Sequence, residues 1–502
     1  MISSFWEIAV EYADSAVNAV LAPTPPRKFR WLTVIWMLGL FVGGIIVFRY
    51  FFINGNFDFL YMDWAQITGP RLQFLQTAIR EGQLPLHISD SETLHFATTR
   101  YLAVADAFIS PQYILLKWLS LQDFTLVNIW FLYSLGFLGL LAIKYKLRLS
   151  LVAFTAPFLL FNFNGYIFAH YNVGHANWGG YFLFPWFVWL ILRLLDGDHT
   201  WLWTTLMAGL LFFIWLQGSY HEFVWLLILL ALIGIFIPRT FLTVLRTGVL
   251  TFFVSAFRLL PCILEYKDFK VPFLGGYPSL ALLFQNLVDL PSNSFPHYFG
   301  NINLGISAGE WEYTCFIGVL GGIFLIYFGI FRGLIRVKAE FNRLLIPISL
   351  MGMLTLGPVF QVFRYLPIPL IQGERVSSRI VAVVLAFGLI LGAQQFQKLI
   401  DGISKKTILL GGSVVGLITI GIELWQDLQI WRISQRLQDF WIYFNPNKWY
   451  PINNMSDTVY IWLVFGGLVI SIVSLAALGW ISWMEYRQKK LKTIEAKLTG
   501  TA

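Results

Sequence analysis

Residues 31–53 read WLTVIWMLGLFVGGIIVFRYFFI, an unbroken apolar run whose only charge is Arg49. A helix rises 1.5 Å per residue and the hydrocarbon core of a bilayer is about 30 Å thick, so about 20 such residues span it. Lipid offers the backbone no hydrogen-bond partner, which makes the run a helix. No Ala-x-Ala-like site follows it, so it reads as a retained span and not as a cleaved leader. Further runs of the same kind lie at 124–143, 149–167, 179–195, 201–217, 223–238, 243–263, 313–331, 344–359, 379–396, 407–423 and 458–484. Several are short, and Pro157, Pro185 and Pro347 predict kinks or tilts. The expected fold is all-α: a polytopic membrane helix bundle of about 12 spans.

Composition agrees. Hydrophobic residues make up 57% of the 502 and charged residues 12%, against about a quarter charged in a soluble domain. Nothing reads as a soluble catalytic domain. With Cys262 and Cys315 as the only cysteines, a disulfide framework and a cysteine metal site are both excluded. A single bridge between them is left open.

Orientation follows the basic residues. Arg27, Lys28, Arg30, Lys144, Lys146, Arg148, Arg193, Arg239, Arg332, Arg336, Lys405, Lys406 and the cluster from Arg487 to Lys497 all fall on one face if the N-terminus is inside. A multi-pass protein of the cell membrane with both termini cytoplasmic is expected. Attraction of these residues to anionic membrane lipids accounts for the net charge of +8, so no nucleic-acid partner is expected. Residues 1–30 form a cytoplasmic amphipathic segment, 31–484 the transmembrane domain, and 485–502 a cytoplasmic basic tail. The outer loops, 54–123, 264–312, 360–378 and 424–457, are long, and long ordered loops tend to carry function.

The first outer loop is the most informative: NGNFDFLYMDWAQITGPRLQFLQTAIREGQLPLHISDSETLHF, residues 54–96. Asp58 and Asp63 follow the first span closely. From Gly69 the spacing predicts an interfacial helix with Leu72, Leu75 and Ile79 on one face and Arg71, Gln73, Gln76 and Arg80 on the other. Gly82 and Pro85 end it.

An Asp after the first span, a D-x-x-Q pattern (Asp63, Gln66), an interfacial helix and a G-x-L-P ending (Gly82 to Pro85) resemble the GT-C superfamily of membrane glycosyltransferases, in particular a bacterial branch of it. FNFNGYIFAHYNVGHANWGGYFLFPWFVWLILRLL, residues 161–195, is similar to that group's Asn-Gly…His…Pro helix pair. FRYLPIPLIQGERVSSR, residues 363–379, matches its arginine-rich outer loop. The likeness covers about the first 240 residues; beyond them it is one of topology. A short basic tail stands where the family usually carries a compact outer domain, so acceptor recognition does not carry over.

The resemblance implies transfer of a sugar from a polyprenyl-phosphate-linked donor to a lipid, glycan or protein acceptor on the outer face. Such a reaction needs a general base for the acceptor hydroxyl, for which Asp63 is the first candidate and Asp58 the second. A helix N-cap or a solvated loop acid is the plainer role for Asp63. Guanidinium groups suit the donor phosphate, and Arg375 and Arg379 lie at i, i+4 on the last long loop, where plain interfacial anchoring is the alternative. Gln66, His170, His175, His221 and Glu222 are candidate substrate contacts. The i, i+5 spacing of His170 and His175 departs from the i, i+4 metal pattern. No cofactor is expected; Glu310 and Glu312 are the one pair that suggests a divalent metal. Arg258 lies within a span, with Glu265 at i+7 as its expected partner. The competing functional classes are a twelve-helix transporter or lipid flippase, and a non-catalytic membrane assembly subunit.

Overall fold

The computed structural model describes residues 15–52, 59, 62–94, 98–265, 272–291, 308–336, 341–366, 371–433, 447–452 and 456–498. Asp58 lies outside them. The described chain is 78% helix and without strands. Eight helices are long and apolar enough to cross a membrane: Arg27–Phe51, Leu121–Lys146, Leu151–Val173, Ala176–Leu195, Gly318–Ile335, Ser377–Gly402, Lys406–Trp431 and Thr458–Glu495. This is a multi-pass membrane protein. The remaining apolar runs are helical but differently built. Trp201–Leu216 and Asn342–Leu354 are shorter, and Tyr220–Phe236 bends by 116° into Pro238–Val254, so that the pair adds at most a ninth span. The bend has a local cause: Pro238 has no N–H to donate, and Ile237 before it leaves the helical region at φ −125°, ψ 81°.

The chain forms two compact units. The first comprises residues 1–66, 119–176 and 271–443. Its interior is the Leu151–Val173 helix, 94% buried over its most apolar window, and the Ser377–Gly402 helix, 83% buried. Glycines let Ser377–Gly402 meet Gly318–Ile335 backbone to backbone, since a Cβ on Gly329 would lie 2.3 Å from the carbonyl oxygen of Gly388. Arg27–Phe51 and Lys406–Trp431 are only 17% and 11% buried. Their exposed Val34, Ile35, Leu38, Val415 and Ile418 face outward, as lipid-facing side chains must.

The second unit comprises residues 67–118, 177–270 and 444–502. Ala208, Val254 and Leu478 centre an apolar core with Trp201, Phe212, Leu250 and Leu475 around it. Gly467 brings the Thr458–Leu498 helix onto the backbone of Ala256 and Phe257, where a Cβ would meet the Ala256 carbonyl oxygen at 2.5 Å. That helix runs unbroken through the expected basic tail as far as Leu498.

Two expectations are corrected in this description, and one question left open is answered. The helix Gly69–Arg80 forms with the expected ends, but its polar side is not exposed. Arg71 and Gln76 are buried; Arg71 pairs with Asp106 at 3.2 Å and Gln76 donates to the Leu116 carbonyl at 3.3 Å. Arg258 does not pair with Glu265, which is joined instead to Arg100 at 3.2 Å. Wholly buried, Arg258 donates to the carbonyls of Leu102, Val104, Ala105 and Ala107 at 3.1, 2.8, 3.3 and 2.9 Å, stapling the preceding loop. Backbone carbonyls solvate a guanidinium without a carboxylate. Finally, Cys262 and Cys315 are buried free thiols, so the bridge left open does not form.

Candidate functional site

A nine-residue helix, Gly165–Val173, organises the first unit's polar interior. Asn164 caps its start: its side-chain oxygen accepts from the Ile167 N–H at 3.2 Å while its amide donates to Leu160 and Phe161. Gly165 lets a second segment approach, its N–H donating to the Phe316 carbonyl at 2.8 Å; a Cβ there would lie 2.7 Å from the Thr314 side chain. The helix ends at Gly174, left-handed at φ +99°. The Gly174 N–H turns back to Tyr171 O and the His175 N–H to His170 O at 3.0 Å, the pattern that closes a Schellman end.

Gly174 is also the seat of Asp63 and Trp64. A Cβ on it would lie 2.2 Å from the backbone nitrogen of Trp64 and 2.7 Å from the carbonyl carbon of Asp63. The Trp64 indole N–H donates to Tyr171 O at 2.9 Å and fixes this contact. Asp63 is thereby held over the helix end, its Oδ2 at 3.0 Å from His175 Nε2. The other nitrogen of that ring, Nδ1, lies 2.8 Å from Nδ1 of His170. Burial is graded along the row: the side chains of Asp63 and His175 are 26% and 12% exposed, and His170 is fully buried. Tyr166, one turn before His170, meets its ring edge-on at 4.5 Å.

In the same unit, Glu312 takes both its oxygens to the guanidinium of Arg379, and Glu374 stands 3.9 Å from that guanidinium. Ser378 donates to the Glu312 carbonyl at 2.5 Å. Burial by itself would raise the Glu312 carboxyl, but Arg379, by charge and hydrogen bonds, outweighs it. The carboxyl is held at about 2. The loop carrying Arg379 is pinned by short parallel bridges, Leu274 N–H to Arg375 O at 2.8 Å and Ser377 N–H to Gly275 O at 2.9 Å.

Arg375 and Arg379 do not share a helix face. Val376 between them is extended, and the helical turn begins only at Ser377. Arg375 is exposed while Arg379 is buried. Gln66 is exposed on the π turn Trp64–Thr68. Within the second unit, His221 stacks on Trp178 with centroids 5.3 Å apart. Glu222 is fully buried beside Gly180, whose Cβ would stand 2.2 Å from its Oε2. Among the described residues no group of three or more His, Cys, Asp or Glu is arranged to hold a metal ion, and the oxygens of Glu312 are occupied by Arg379.

One residue of the cluster, Tyr166, was not singled out in the sequence. Tyr166 carried a signal, four residues before His170 on one helix face. Comparison with family models, characterised proteins and solved structures finds no match to this chain.

Proposed function

We propose that this chain is a GT-C-like glycosyltransferase of the cell membrane, both termini cytoplasmic, that moves a sugar from a polyprenyl-phosphate-linked donor to an acceptor hydroxyl on the outer face. One observation carries the reading. One or two residues from each of the three stretches on which the resemblance rests lie in one unit: Asp63 bonds to His175, His175 to His170, and Arg379 of the third stretch is held there by Glu312.

In this reading Asp63 takes the proton from the acceptor hydroxyl, the freed oxygen attacks the anomeric carbon, and the bond from that carbon to the phosphate oxygen breaks. The polyprenyl phosphate leaves with the electron pair. Arg375, exposed, meets the departing phosphate. Arg379, already neutralised by Glu312, sets the loop on which Arg375 sits. Gln66, one turn from Asp63, contacts substrate.

The test uses the full chain in lipid nanodiscs with a radiolabelled polyprenyl-phosphate hexose and a hydroxyl acceptor. Asp63→Asn keeps the shape of the side chain and removes its basicity, so turnover is expected to fall about 10²-fold or more with little change in thermal stability. Arg375→Lys is expected to weaken binding of the polyprenyl phosphate at least about tenfold, the scale of one charge-assisted contact; Arg80→Lys is the control. Undiminished turnover in Asp63→Asn would remove the base. Uptake of the lipid-linked sugar into proteoliposomes without transfer would replace the enzyme by a transporter.

A further inference from the structure

The facing Nδ1 atoms of His170 and His175 impose a constraint that neither ring has alone. At 2.8 Å one must donate and the other accept. Two N–H groups cannot point at each other, and two lone pairs repel. The same holds at the other end of the His175 ring, where Nε2 stands 3.0 Å from Asp63 Oδ2. An ionised carboxylate only accepts, so His175 carries its proton on Nε2. With the ring neutral, its Nδ1 is then a lone pair, and the proton between the rings belongs to His170.

We propose that His170 is a positioning residue: its Nδ1–H fixes the tautomer of His175. His175 in turn engages one oxygen of Asp63 and leaves the other to take a proton. The catalytic weight of this assignment rests on Asp63 being the base proposed above; the tautomer itself does not. The surroundings support it. His170 is fully buried and cannot exchange partners with water. Tyr166 on its own helix closes one side of the ring. Asp63 faces His175 from the first outer loop. The row then holds one proton at each contact.

The Asn amide nitrogen can occupy the place of His Nδ1, because both are the first atom beyond Cγ. His170→Asn therefore keeps a donor toward His175, whereas His170→Leu removes it. With the chain holding 7 histidines, ¹⁵N-histidine labelling of the full protein in nanodiscs resolves the tautomer of His175, identified by the signal lost in His175→Gln. The expected result is an Nε2–H ring in the wild type and in His170→Asn, and an Nδ1–H or mixed ring in His170→Leu. For turnover, His170→Asn is expected within about threefold of the wild type, while His170→Leu loses about tenfold or more in kcat at unchanged KM, short of the effect of removing the base itself. An Nδ1–H His175 in the wild type overturns the proposal, as does one tautomer in all three proteins, or Asn behaving as Leu does. If the wild type transfers no sugar, the enzyme reading falls while the tautomer still decides the role of His170.

Discussion

Replacing Arg258 by Met removes the guanidinium while keeping a long, flexible apolar side chain in its place. The cost follows from which carbonyls still find a donor. Val104 O also accepts from the Ala107 N–H at 3.1 Å and Ala105 O from the Trp215 indole at 3.0 Å, so both stay bonded. Among the described residues Leu102 O keeps only the Cys262 thiol at 3.8 Å, a weak donor, and Ala107 O loses its 2.9 Å contact with Arg258. Stranding a buried carbonyl costs about 1–3 kcal/mol, so two amount to about 2–6 kcal/mol. Relief of the desolvated charge offsets part of this, and a net loss of about 2–4 kcal/mol is expected. Equilibrium unfolding in mild detergent measures it, and limited proteolysis locates it, with new cleavage in 102–107. Arg258→Lys should fall between, because an ammonium has three donors but a shorter reach. If Arg258→Met stays within about 0.5 kcal/mol of the wild type, the level of an indifferent surface change, the carbonyl cage contributes nothing and the reasoning fails.

Two further outcomes are expected. Glu312 is held down from 4.5 to about 2 in the folded protein. A lowered carboxyl stabilises the fold fully above its unfolded value and loses that contribution as pH falls through the folded one. The stability gap between the wild type and Glu312→Gln should thus be constant above pH 4.5 and shrink toward pH 2; a gap independent of pH would contradict the pairing with Arg379. For topology, single cysteines at Ser91 and Ser404 in a Cys262→Ser/Cys315→Ser background are expected to react with an impermeant thiol reagent in intact cells at Ser91 alone. The opposite pattern would invert the protein.

Apolar runs located the eight membrane-length helices, because burial in lipid needs only length and hydrophobicity. They could not tell a full span from a partial one. Tyr220–Phe236 and Pro238–Val254 read as two crossings, and only the backbone at Ile237 and Pro238 decides that they bend by 116°. The histidines show a different limit. Spacing by i, i+5 argues against a shared helix face, yet His170 and His175 touch, because left-handed Gly174 folds the second ring back over the helix end. The glycine was visible in the sequence; its conformation was not. Arg258 looked toward Glu265 because only charged side chains advertise themselves in a sequence, whereas its actual partners are backbone carbonyls, which every residue has. Arg379 met the same difficulty from the other direction: its partner Glu312 lies 67 residues away and was read as a metal candidate.

The Thr458–Leu498 helix contains 41 residues, about 60 Å of continuous rise, while a bilayer core takes up only about 30 Å. Roughly half of the rod must therefore stand clear of the hydrocarbon. Its exposed far end carries Lys489, Lys490 and Lys492, with Lys489 braced by Glu485 at 2.9 Å. A rod of this kind works as a ruler and a protractor. A domain fused rigidly after Leu498 would hang at a set height above the headgroups, and each residue inserted before it would turn that domain by roughly 100° about the rod axis. Both quantities can be dialled from the gene, which gives the protein a built-in handle for orienting an imaging scaffold or a reporter at the membrane surface.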